Sequence, residues 1–465
     1  MIHKLISTRY MVKPELHRGE ITPTKTAYKT SLGIAVPAVI EMVSLALMDM
    51  VSMIMVGRLG SEAISAVSLT AQPRMIFFSV FFALNVSITA IIARAKGAGE
   101  EEKARSCMRH ALLLVLVLGA VMTALAVFFA RPMMLLAGAQ YDTIGAASSY
   151  FRIAGYGLIF QVATGTICAA QRATGNTRIT LMVSVTAKIV QVLSNFLLIE
   201  GRFFFPEMGV DGAAVSLVVV GVVGFGLAFA SLLRRGSFLQ LRRGDRWRPE
   251  KEMMGTIGRL SAGSMVEQVG LRIGFFLYAR VVADLGTIQF AAHSIAMQLM
   301  NLSFTFADGI GAATTSLVGQ NLGKNRPDLS IMYGKLGMRL AFAAAALLSI
   351  ATFLMRNWFP TIFTDDPYVM ATTVSILYIL IFILPIQTTQ VVMGGSLRGA
   401  GDVRYVAMTM FVTVGVLRPL AGFLLAYPLG FGLAGAWIAI ILDQAVRLGM
   451  LFFRFSGGKW IRAKL

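Results

Sequence analysis

The sequence predicts an all-α membrane protein, with twelve transmembrane helices in two six-helix lobes related by a pseudo-two-fold axis along the membrane normal. Three observations carry that expectation. Of the 465 residues, 56% are hydrophobic and only 14% are charged, with a mean hydropathy of +0.72, whereas a soluble domain carries about 25% charged residues. Twelve stretches supply the roughly 20 apolar residues that one helical crossing needs. The second half of the chain also repeats the pattern of the first at a constant offset of 226 residues.

Taken in order, residues 1–30 are polar and basic without an apolar run, so a cytoplasmic tail and no cleavable signal peptide are expected. The apolar stretches fall near 31–56, 64–93, 108–130, 143–170, 179–200 and 209–233, then near 256–283, 287–319, 332–357, 368–397, 405–428 and 432–455. Strand alternation is missing from them, which leaves helices as the spanning element. The first six make an N-lobe, 31–233, and the last six a C-lobe, 256–456. Between them the basic stretch 234–255, with Arg-Arg pairs at 234–235 and 242–243, reads as a cytoplasmic linker, and 457–465 as a second cytoplasmic tail. The tails and even-numbered loops hold 31 of the 42 Lys and Arg, against five in the odd-numbered loops and their edges. That bias places both termini in the cytoplasm, in a plasma membrane protein. It also accounts for the formal charge of +19 without nucleic acid. A polybasic linker can in addition touch anionic membrane lipid.

The repeat is specific. Glu41 answers to Glu267, Gln161 to Gln387, Gly97 to Gly323, and Arg172, Gly175 and Arg178 to Arg398, Gly401 and Arg404. Val56 to Gly60 meets Val282 to Gly286, and near the end Gly209 and Gly212 meet Gly432 and Gly435 at an offset of 223. Six helices per repeat is an even number, so both copies enter the membrane in the same orientation, as parallel repeats do. Two such bundles around a central cleft form a transporter architecture that one chain completes, so a monomer is expected.

Enzymatic parts are missing. No His-Glu-x-x-His, Gly-x-Ser-x-Gly or Walker-type loop occurs, and Cys107 and Cys168 have no metal-ligand spacing around them. Gly394-Gly395 and the Gly97 and Gly99 pair read as close packing and turns. Without ATP chemistry the energy must come from an ion gradient, so no cofactor beyond a coupling proton or sodium ion is expected. Ionisable groups inside the bilayer are costly and default to a functional reading. The acids within the spans include Glu41, Asp49, Glu267, Asp308 and Asp443, and the bases include Arg74, Arg152, Lys188, Arg272, Arg418 and Arg447. Asp443 and Arg447, four apart, read as a structural pair. Asp308 precedes Gly309, where a break in the eighth helix is expected, and ion contact and structural hydrogen bonding both stay open for it. Glu41 and Glu267 are repeat mates about ten residues into spans one and seven, and each can exchange a proton or, once ionised, coordinate sodium. Asp49 lies about 80° from Glu41 around the same helix, and Glu267 shares a face with Leu271, Gly274 and Tyr278. Permanent pairing with Arg272 or a base on another helix is the competing reading. His293, inside the eighth span, reads as a packed group or a cargo contact.

The run Val56-Gly57-Arg58-Leu59-Gly60-Ser61-Glu62-Ala63 resembles the end of helix one in the multidrug and toxic compound extrusion (MATE) family. Ala291-Ala292-His293-Ser294-Ile295-Ala296, Gly319-Gln320-Asn321-Leu322-Gly323, Ser396-Leu397-Arg398-Gly399-Ala400-Gly401-Asp402 and Gly458-Lys459-Trp460 fit the same family at its spacings. The resemblance covers nearly the whole chain. It implies a secondary antiporter that exports small organic compounds, by family preference cationic and amphiphilic, against entry of protons or sodium. The wider superfamily contains lipid-linked sugar flippases, which supply the neighbouring alternative, and an integral membrane enzyme is the remoter one. The family's helix-seven Glu falls on Glu267. Its helix-ten Asp falls on Gln387, its helix-one Asp on Ser52, and its helix-five Asn and Asp on Gln191 and Asn195. Glu267, Glu41 and Asp49 are therefore the expected cation-coupling acids. Ser52, Gln191, Asn195, Tyr278, His293, Asp308 and Gln387 are further candidate contacts, with sodium at Glu267 the sole metal considered.

Overall fold

A computed structural model describes residues 7–462 except 60, 138–142, 200, 204, 235, 243, 245, 246 and 248, and except the side chains of 61, 62, 64, 65, 72 and 462. Arg235 and Arg243 of the expected linker therefore lie outside the described residues, as do Gly60 and the last three residues of the tail.

Among the described residues, twelve long helices stand where twelve apolar stretches were expected. They are α1 (Thr24–Gly57), α2 (Ser61–Ala98), α3 (Glu101–Phe128), α4 (Ile144–Ala173), α5 (Thr177–Leu198) and α6 (Gly209–Leu233), then α7 (Lys251–Ala283), α8 (Thr287–Gly323), α9 (Pro327–Met355), α10 (Pro367–Gly399), α11 (Val403–Ala426) and α12 (Gly432–Ser456). Ten are long and apolar enough to cross a membrane. Helix starts follow local chemistry: Pro327 and Pro367 open α9 and α10, where a missing N–H costs nothing, and Asp366 caps α10 by accepting from the Tyr368 amide at 2.9 Å. The repeat is visible in the backbone of the connections. Gly175 and Gly401 turn the chain after α4 and α10 at φ +85° and +89°, and Gly209 and Gly432 at +53° and +52°, values that a Cβ disfavours.

The chain folds as two compact units, Ile40–Lys96 with Glu100–Ser261 (the N unit) and Met1–Val39 with Gly97–Gly99 and Ala262–Leu465 (the C unit). This partition differs from the expected lobes at the start of the chain, because the expected tail and the first turns of α1 belong with the second half. The cause is specific docking. Met11 and Val12 are buried with Leu317, Met332, Tyr333 and Leu336, Lys335 donates to the Met11 carbonyl at 2.7 Å, and the Arg18 amide donates to Asp328 at 3.1 Å.

Within the C unit, α7 meets α11 through glycine. A Cβ on Gly274 would lie 2.1 Å from the Val414 carbonyl oxygen, so no other residue permits that approach. The stretch of α11 opposite, Phe411–Leu417, is π-helical. The expected break at Asp308 is absent: α8 runs unbroken from Thr287 to Gly323. Gly309 serves packing instead, since a Cβ there would meet the Val39 Cα at 2.8 Å. The N unit closes α4 on α6 in the same way, with Gly221 facing the Gly157 carbonyl.

Candidate functional site

Each unit buries one of the repeat-matched glutamates and neutralises it with the repeat-matched arginine. In the N unit, Glu41 of α1 is 1% exposed and accepts from Arg172 of α4 at 3.1 Å. In the C unit, Glu267 of α7 is 3% exposed and accepts from Arg398 of α10 at 2.5 Å. Both pairs span 131 residues of chain, so the same pair occurs at the same register of both repeats.

Their surroundings then diverge. Helix α5 presents Thr180, Ser184, Lys188, Gln191 and Asn195 at spacings of four, four, three and four, which puts them on one face. Thr180 and Ser184 each donate to Glu41 at 2.7 Å, so that carboxylate is held by three donors. The equivalent positions in the C unit are Val406 and Met410, and Arg398 is the one hydrogen-bond donor to Glu267 among the described residues. Lower on α5, Lys188 pairs with Asp49 and donates to Gln191 at 2.9 Å, while Asn195 accepts from Ser216. Glu41, Asp49, Ser52, Gln191 and Asn195 all line a single cavity of about 710 Å³ inside the N unit, the size of a small-molecule site. Met42, Leu45, Met53, Phe78 and Phe82 make its apolar wall.

The expected C-unit residues are more dispersed in role. Gln387, a candidate contact, donates to the Met300 carbonyl at 3.2 Å. Arg272 is not the partner of Glu267; the base comes from another helix. Tyr278 donates to the Ala436 carbonyl at 2.9 Å and stacks obliquely on His293, ring centres 5.8 Å apart, and His293 meets Trp437 at 5.5 Å. These groups are packed into the aromatic core of the unit. Asp308 is exposed, with the Arg398 charge acting on it. Asp443 does pair with Arg447, at 2.5 Å, and it also holds Arg418 at 2.7 Å. All three are at most 2% exposed, which leaves two guanidinium groups on one carboxylate deep in the C unit.

Arg172, Arg398, Thr180, Ser184 and Lys188 escaped sequence reasoning as site residues. The signal for the arginines was available: they keep the same repeat register as the glutamates. The α5 stripe was available as a five-residue polar face at helical spacing.

The family model MatE matches residues 37–197 and 264–424, once in each half. A relative described as probable multidrug resistance protein NorM, from Thermotoga maritima, is 28% identical over 438 residues and spans 93% of both chains. Multidrug resistance protein PmpM of Pseudomonas aeruginosa is 25% identical over 471 residues, covering 96% of this chain and 94% of its own. Among solved structures, MATE in complex with MaD3S superposes with a TM-score of 0.85 at 22% identity, covering 93% of this chain and 96% of that one. A MOP superfamily transporter from Pyrococcus furiosus gives 0.86 at 21% identity, covering 94% and 97%. Both likenesses show the same fold.

Proposed function

The chain belongs to the MatE family of multidrug and toxic compound extrusion transporters, and from that premise we propose that it is a secondary antiporter exporting small amphiphilic organic compounds against the entry of protons or sodium. The observation that carries this reading is the cavity of about 710 Å³ with a buried carboxylate, Glu41, in its wall. A wall of Met and Phe adapts to varied apolar bodies. A carboxylate that can trade its arginine and hydroxyl donors for a proton or cation has two states, and a coupling ion shifts the transporter by binding one conformation better than the other. Glu267 with Arg398 repeats the device in the C unit without the hydroxyl donors, so Glu267 is assigned the principal coupling role and Glu41 with Asp49 a modulating one. The protein works as a monomer in the plasma membrane with both termini in the cytoplasm, and needs no cofactor besides its coupling ion.

Purified protein in vesicles, with an inward-directed proton or sodium gradient imposed separately, tests the proposal. Gradient-driven movement of unaltered cargo is expected from one of the two ions. Glu267→Gln is expected to abolish it and Glu41→Gln to weaken it at matched reconstitution. Full transport by the Glu267→Gln protein reduces that residue to a structural acid. A chemically modified product in place of intact cargo refutes the transporter reading.

A further inference from the structure

The N-unit cavity contains more positive than negative charge. Its lining includes three cations, Arg74, Arg172 and Lys188, and two carboxylates, Glu41 and Asp49. The two carboxylates are already taken. Glu41 is held by Arg172, Thr180 and Ser184, and Asp49 by Lys188. Arg74 lies beside the Tyr150 phenol, and no carboxylate pairs with it among the described residues. Pro73, immediately before it, takes one main-chain donor out of the α2 ladder at that level.

None of this surplus belongs to the inherited scaffold. At the repeat-equivalent positions of Arg74, Asp49 and Lys188 the C unit has Met300, Phe275 and Val414, all apolar. The shared elements are the Glu–Arg pair and the fold, and the further charges were added to one half only. Arg74 is hydrogen-bonded to the Tyr150 phenol but has no counter-charge among the described residues. A guanidinium in a membrane-embedded cavity is costly unless an anion meets it, and its planar fork matches a carboxylate in two parallel hydrogen bonds. The apolar wall opposite supplies the complement for a hydrophobic body.

We infer that this cavity takes organic anions: amphiphiles whose carboxylate seats on Arg74 and whose apolar body lies against Met42, Met53 and Phe78. The inference rests on the efflux reading for its physiological meaning, and it replaces the organic cations that family resemblance favours. An organic cation would find its two natural partners, Glu41 and Asp49, already paired with Arg172 and Lys188 and a guanidinium without a carboxylate in its way.

The test separates binding from transport. Binding of naphthaleneacetate, naphthaleneacetamide and (naphthylmethyl)trimethylammonium is measured by calorimetry on the full-length protein in nanodiscs. These probes share one aromatic body and differ in charge. The carboxylate is expected to bind about tenfold more tightly than the ammonium, the scale of one charge-assisted contact in a cavity still open to water. Arg74→Gln is expected to erase that preference, and Arg74→Lys to keep its sign with weaker binding, because a point charge lacks the fork. Asp49→Asn is expected to enlarge the preference by freeing Lys188, a gain that a merely unfolded protein cannot show. Tighter binding of the ammonium, no binding by any probe, or an unchanged preference in Arg74→Gln overturns the inference. Gradient-driven uptake of the same probes into vesicles reports on the efflux reading separately. Carboxylate binding without movement in either gradient sustains the inference and refutes efflux, whereas ammonium export does the reverse.

Discussion

Arg172→Gln and Arg398→Gln remove the same inherited partner from the same inherited acid, yet the two units should respond differently. The arginines are equally screened, with side chains 19% and 20% exposed, and the acids equally buried, at 2% and 4%. Solvent access therefore cancels in the comparison. What differs is the remaining donor set. After Arg172→Gln, Glu41 retains the Thr180 and Ser184 hydroxyls at 2.7 Å each. After Arg398→Gln, Glu267 retains no hydrogen-bond donor among the described residues, and the longer-range charge of Arg447 acts on it. Orphaning a buried charge costs ~3–5 kcal/mol, while each hydrogen bond to a charged group returns ~1.5–3 kcal/mol. The expected losses are thus ~3–5 kcal/mol for Arg398→Gln and roughly 0–2 kcal/mol for Arg172→Gln. Reversible unfolding titrations of detergent-solubilised protein measure both. Installing the C-unit residues in the N unit, Thr180→Val with Ser184→Met, should raise the cost of Arg172→Gln to that of Arg398→Gln. Equal losses in the native background, or no change on removing the hydroxyls, would refute this account of what holds Glu41.

Three further outcomes are expected. Gly274→Ala drives a Cβ against the Val414 carbonyl at 2.1 Å, so overpacking should destabilise the protein by about 1–3 kcal/mol or more, read as a lower midpoint of thermal unfolding, whereas Gly258→Ala, with open space around it, should be silent. Asp443→Asn leaves Arg418 and Arg447 both without their carboxylate and should cost about 3–5 kcal/mol, part of which Arg447→Met recovers by removing one of the stranded charges; no recovery would argue against charge as the cause. A single cysteine at Gly244, added to a protein whose own Cys107 and Cys168 are buried, should react with a permeant maleimide in intact cells and stay silent to an impermeant one, and labelling from outside would reverse the assigned topology.

The helical class, the number of long helices and the two-fold repeat were legible in the chain because each depends on local or periodic information. Apolar runs of membrane length have few other solutions, and an offset of 226 residues is a property of the text alone. The burial-prone acids Glu41 and Glu267 were legible for the same reason: charge inside an apolar run is conspicuous wherever it falls. Their partners were not, because a hydrogen bond across 131 residues depends on which helix faces are brought together, and apolar text does not encode helix rotation. So Glu267 was legible while its partner Arg398, on another helix, was not. The docking of Met11 and Val12 with the second half likewise follows from long-range complementarity that a short polar segment does not announce. Packing also decided the fate of Gly309, which in sequence reads as a break and in the fold lets α8 pass close to Val39 unbroken. Composition and period determine which segments enter the membrane; helix rotation and close approach, set by glycine contacts and buried ion pairs, decide which charges cancel.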